Sequence, residues 1–155
     1  MSVLADWFSQ PAADSKEQPG AVRSARELRE TARKVMSLSP DEIPRGSLCP
    51  ETLMMLTSPA HIPKEWRIWV VGDRVVTFSL YKEGARVTYR AGIDDDALGF
   101  ARMLVARNPA CAPACVMDIC GTDDGLRLLE TNCINAAGFY AADVVRPASA
   151  IDALA

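Results

Sequence analysis

Residues 114–132 read ACVMDICGTDDGLRLLETN, two apolar runs separated by a polar, glycine-containing turn. This pattern predicts a β-hairpin, with strands over 114–120 and 126–131 around Thr122-Asp123-Asp124-Gly125. Asp118 and Glu130 lie symmetrically about Asp124. A register centred there sets them face to face, with Cβ atoms roughly 4.5–5.5 Å apart. Alternation puts Val116 and Asp118 on one face of their strand, and Leu128, Glu130 and Asn132 on the side that opposes it. Two opposed carboxylates repel each other unless something positive sits between them. A few carboxylates, an amide oxygen and room for phosphate oxygens are what a hydrated Mg²⁺ takes. The alternative is a solvated hairpin whose acids point to water.

Upstream, 66–71 and 74–81 are rich in aromatic and β-branched residues, and only Gly72-Asp73 separates them. A glycine at the first central position suits a tight two-residue hairpin turn. A third strand over 85–90 continues the meander. Asp94, Asp95 and Asp96 open a helix at its positive end, with Ala97, Leu98, Ala101, Leu104 and Val105 as its apolar stripe. Asn108-Pro109 stops it. Nearer the start, residues 9–23 (SQPAADSKEQPGAVR) read as an exposed loop. Ser24 and Glu27 form a capping box for a helix carrying Leu28, Ala32, Val35 and Met36, which fades before Pro40. Residues 39–50 are connector, 52–56 (TLMML) a short buried strand or the edge of one, and 148–154 a short last helix. The fold class is α+β, mainly an antiparallel sheet with flanking helices.

The chain has 155 residues, 49% of them hydrophobic, enough to bury a real core without staples. Its 17 basic and 20 acidic side chains argue against a partner recognised through a polyanionic backbone. No apolar run approaches the ~20 residues of a membrane helix, and the first residues lack a signal peptide's basic start. The expectation is a soluble, cytoplasmic protein. Five cysteines at irregular spacing, with no CxxC pair and a single distant histidine, read as free thiols rather than a zinc site. With one histidine, catalysis would rest on carboxylates, lysines, arginines or a bound metal. Trp66, Trp69 and Phe78 read as packing rather than a base-stacking platform. Asp94–Asp96 read as helix capping, Asp123-Asp124-Gly125 as turn chemistry, and Arg26, Arg29, Arg33 and Lys34 as a solvated helix face.

The segments VMDIC and LRLLETNCINAAGFY resemble the metal-binding end of the ATP-grasp ligases, where an Asp on one strand precedes Glu-x-Asn on the next. EWRIWVVGDRVV is similar to the ATP-grasp hairpin opened by an acid and an arginine. ADSKEQPGAVRSARELRE resembles the phosphate-covering loop and helix of the branch with an EWR motif. The resemblance spans 9 to about 145. It implies a partial ATP-grasp domain: 9–58 as phosphate loop, helix and hinge strand, 59–155 as the metal- and phosphate-binding subdomain, with the N-terminal domain and the strands before the loop lacking.

On this resemblance Asp118 and Glu130 bind one Mg²⁺, and Glu130 and Asn132 a second, with Mn²⁺ as the alternative ion. Both bridge ATP phosphates. Arg67 contacts the transferring phosphate; its alternative role is a salt bridge to Glu65 or another nearby acid. Lys82 stands where relatives carry a phosphate-contacting arginine, following Tyr81. Lys16 reaches the phosphates from the loop, Met55, Leu56 and Ser58 match the stretch whose backbone reads adenine, and Asn135 and Gly138 match the loop beside the metals. Gln10 and Gln18 depart from the branch, which has a basic and an aromatic residue there. The implied activity is an ATP- and Mg²⁺-dependent carboxylate–amine ligase working through an acyl phosphate, on a small-molecule or peptide carboxylate and an amine. The alternative is a nucleotide-binding fragment or pseudo-enzyme, completed by a partner chain or an upstream extension. Some members of the branch are proposed to act on peptides or in RNA repair; the acidic charge balance gives RNA no support.

Overall fold

The structure, a computed structural model, describes residues 6–12 and 20–154, and the chain divides into two units, Met1–Pro59 and Ala60–Ala155. In the first, β1 (Asp6–Pro11), β2 (Ala21–Ser24) and, after helix α1 (Ala25–Ser37), β3 (Met54–Thr57) form an antiparallel sheet in the order β2-β1-β3. The ends of the expected 9–23 loop are therefore strand, and the unit holds three strands where one was expected. The reason is the middle position of β1: both its edges are paired, so a polar run such as Ser9-Gln10-Pro11 is satisfied by neighbours. Ser9 is fully buried, donating to the Ala21 carbonyl at 3.2 Å and accepting from Arg23 at 2.8 Å. Lys16 and Gln18 lie outside the described residues.

Ser24 and Glu27 form the expected capping box, and these hydrogen bonds hold the Glu27 carboxyl below its usual range. No residue of α1 is buried. β3 begins at Met54 and is an edge, with Met54, Met55 and Leu56 more than a third exposed; the buried alternative for this stretch is corrected.

The second unit is a five-stranded antiparallel sheet of β4 (Lys64–Val71), β5 (Arg74–Glu83), β6 (Arg86–Arg90), β7 (Ala114–Thr122) and β8 (Gly125–Asn132) in the order β6-β5-β4-β7-β8. Gly72 and Asp73 both take positive φ (53° and 60°), the twist a two-residue hairpin needs. Helix α2 (Asp95–Arg107) lays Ala97, Ala101 and Val105 against Trp66, Ile68 and Val70 of β4 and Met117 and Ile119 of β7. At its start the Asp94 carboxylate pairs with Lys64 at 2.7 Å rather than capping, and Asp96 accepts the Ala97 N–H at 2.8 Å. Trp69 is buried on the other face, stacked on Phe139 at 5.4 Å. The last helix, α3 (Val145–Asp152), starts three residues before the expected 148, because Pro147 fits a first turn, where its missing N–H costs nothing. Among the described residues no helix is long and apolar enough to cross a membrane.

Two ladders carry single extra residues. Trp66 pairs with Leu80 and Glu65 with Lys82, so Tyr81 is extra on β5. On β8, Ile119 pairs with Leu128 and Asp118 with Glu130, leaving Leu129 extra. The β7–β8 turn is two residues, Asp123 and Asp124, not centred on Asp124. Without the bulge Asp118 would face Leu129. The bulge also corrects the expected face of Leu128: it opposes Ile119 and lines, with Leu104, Met117 and Thr131, a cavity of about 250 Å³ beside α2.

Ile68 is fully buried at the centre of this core. Ile68→Ala should cost about 2–5 kcal/mol, lowering the urea midpoint without changing the slope. A midpoint equal to the parent's would show that the core collapses around the deletion.

Candidate functional site

Face alternation sends Glu65, Arg67 and Trp69 to the side of the sheet away from α2. There Arg67 opposes Asp118 on β7 and Ser79 on β5. Its Nε donates to Asp118 Oδ1 at 2.8 Å and its Nη2 to Oδ2 at 2.7 Å, a two-pronged ion pair. The Asp118 side chain is 2% exposed and that of Arg67 11%. The Asp118 hydrogen bonds raise the guanidinium further above its already high ordinary value, so it stays charged. Arg67 thus pairs with an acid, and that acid is not Glu65.

Glu130, opposite Asp118, lies 3.9 Å from Arg67 Nη2 and is half exposed. Its Oε1 accepts from Asn132 Nδ2 at 2.9 Å. One guanidinium therefore sits against both opposed carboxylates and removes the repulsion that the facing pair would otherwise suffer. Arg67 Nη1 makes none of these bonds.

Glu65, 6% exposed, takes the hydroxyl of Tyr81 at 2.6 Å and also the Lys82 ammonium. Tyr81 and Lys82, neighbours in sequence, reach the same carboxylate because the bulge at Tyr81 breaks alternation. Burial and the bond to Glu65 push the Tyr81 phenol up, which keeps it a donor. Above the ion pair lie aromatic faces: the Arg67 guanidinium is 5.5 Å from the Tyr81 ring centre and 5.1 Å from that of Tyr140. Tyr140 also stacks on Tyr89.

Of the expected site residues, the structure brings Arg67, Asp118, Glu130 and Asn132 together and puts Lys82 on Glu65. Asn135 is exposed in the single 3₁₀ turn after β8, and Gly138 follows it. Met55 and Leu56 lie on β3 of the first unit, followed by the exposed Ser58. His61 meets Asp123 at 3.2 Å on the surface. Tyr140 was missed, since nothing local in sequence ties residue 140 to residue 67. Among the described residues no three His, Cys, Asp or Glu side chains gather in metal-ligating geometry. Two carboxylates and a carboxamide oxygen on one face do fit a magnesium ion that keeps waters or phosphate oxygens, and each Asp118 oxygen retains a lone pair beyond the one Arg67 uses.

The chain belongs to an ATP-grasp domain family, family 3 of its clade, whose sequence pattern matches residues 2–154. Among solved structures it is similar to the ATP-grasp ligase PsnB complexed with minimal precursor, at a TM-score of 0.57 and 20% identity. That match covers 97% of this chain and 48% of PsnB, so the chain spans about half the length of that ligase. No curated protein matches the sequence. Family and fold together support a ligase-type function in general terms.

Removing Arg67 leaves a buried carboxylate without its partner. Arg67→Met should cost about 3–5 kcal/mol in chemical denaturation, and Arg67→Met/Asp118→Leu should recover most of it. A single variant as stable as the parent would mean the pair is effectively solvated.

Proposed function

We propose that the protein is an ATP- and Mg²⁺-dependent ligase of the carboxylate–amine type, working through an acyl phosphate. The observation that carries this reading is the register that sets Asp118, Glu130 and Asn132 around Arg67 on one sheet face. Asp118, Glu130 and Asn132 would hold the ions, which neutralise phosphate charge when bound. Arg67 offers its free Nη1 edge to the transferring phosphoryl group, a planar donor suited to phosphate oxygens. The substrate carboxylate takes the phosphoryl group, and an amine then displaces phosphate from the acyl carbon. No histidine is needed, because alignment and charge neutralisation carry phosphoryl transfer. Lys82 would serve phosphate by leaving Glu65. In the first unit, β3 has one free edge, which supports adenine recognition by the backbone of Met55 and Leu56 with Ser58. Lys16 and Asn135 complete the proposed nucleotide contacts. A peptide or small-molecule carboxylate and an amine are the proposed substrates, and a partner chain or upstream segment the proposed completion.

The two-pronged hold of Asp118 on Arg67 favours a second reading, nucleotide binding without turnover by this chain alone.

Glu130→Gln removes charge and keeps volume. It should abolish Mg²⁺-dependent ATP binding in titration calorimetry and leave the melting temperature without ligand close to the parent's. Equal affinity of variant and parent with Mg²⁺ present would remove Glu130 from the site. Arg67→Lys should retain nucleotide binding only weakly, since a point charge replaces a fork.

A further inference from the structure

We propose that Tyr140 is the positioning residue of Arg67: its ring, laid over the guanidinium, fixes the pose in which Nε and Nη2 face Asp118 and Nη1 stays turned to an incoming phosphate. This rests on the reading of Arg67 as a phosphate ligand.

Three observations meet at this residue. The Tyr140 ring centre lies 5.1 Å from the Arg67 guanidinium carbon, within the range where a cation is drawn to a ring face. The ring is itself fixed on two sides, stacked near-parallel on Tyr81 and on Tyr89, each at 5.2 Å. Its backbone has φ of 53°, a left-handed conformation that a bulky residue adopts at a cost.

The chain on both sides of Tyr140 is anchored to the sheet. Before it, Phe139 stacks on the buried Trp69; after it, the Ala141 N–H donates to Ser79 Oγ at 3.2 Å. Ser79 is fully buried and directly opposite Arg67 in the β4–β5 ladder. The two anchors thus straddle the residue that carries the unfavourable φ. Burial does not explain this placement, because Tyr140 remains 40% exposed. Asp118 fixes the guanidinium in its plane and leaves rotation out of that plane to be limited by something above it. The faces of Tyr81 and Tyr140 do that, and Tyr81 is already committed through its hydroxyl to Glu65.

The test uses the full chain and three variants, Tyr140→Leu, Tyr140→Phe and Phe139→Leu, each checked for thermal unfolding. The first readout is the Arg67 Nε–H resonance without nucleotide. It should lose its ring-current shift and exchange faster with water in Tyr140→Leu, and stay near the parent position in Tyr140→Phe, which keeps the ring. The second is calorimetric binding of ATP with Mg²⁺. Tyr140→Leu should weaken it by roughly threefold to tenfold, Tyr140→Phe should restore it, and the loss should vanish in an Arg67→Lys background. An unmoved Arg67 resonance in Tyr140→Leu overturns the proposal, as does a binding loss of the same size in the Arg67→Lys background or in Phe139→Leu at matched stability. If Arg67→Lys alone leaves ATP affinity unchanged, the phosphate role of Arg67 falls, while the resonance still decides whether Tyr140 holds it.

Discussion

Burying a guanidinium and a carboxylate in the middle of a sheet is costly unless each finds the other in near-ideal geometry. Here the β4–β7 ladder supplies that geometry: it runs through eight consecutive pairs without a register shift, and Arg67 and Asp118 are one of them. The irregularities lie one strand further out on each side, at Tyr81 on β5 and Leu129 on β8. The unbroken ladder fixes the charge pair, and the broken ones aim what surrounds it. Glu130 comes to face Asp118, Tyr81 and Lys82 come to share Glu65, and Arg67 is left with one free edge.

The charges close into two small sets. Arg67 stands against Asp118 and Glu130, and Lys82 against Glu65, whose second oxygen takes the Tyr81 hydroxyl. The first set keeps a net negative charge with an open acid and amide at its margin, which suits a cation. The second is locally neutral and buried at its carboxylate end. A phosphate approaching this face meets positive charge at Arg67 first.

Both hairpins of the second unit were legible because period-two patterning and short glycine turns are local signals. So was the Asp118–Glu130 pairing, though by a route the molecule does not take: the sequence suggests a turn centred on Asp124, whereas a tighter turn and an extra residue at Leu129 reach the same partners. Leu128, on the near side of the bulge, betrays the difference. Strand β1 was illegible because Ser9-Gln10-Pro11 is polar, and only pairing on both edges makes it strand. The partners of Tyr81 and Lys82 were hidden by the bulge, since alternation would separate neighbours that in fact converge. Tyr140 reaches Arg67 across more than seventy residues of chain, and no periodicity reports such a contact.

The extra residue on β8 gives this hairpin a parity. Between Asp118 and Glu130 the number of residues must stay such that turn length and bulge together present the acid, and not its neighbour, to the Arg67 face. A turn one residue longer with a regular β8 satisfies that condition as well as the present two-residue turn with a bulge. Related chains can therefore exchange one arrangement for the other by paired single-residue changes at opposite ends of the strand. A length change at only one end would turn Glu130 and Asn132 to the α2 side while the hydrophobic pattern looked almost unchanged.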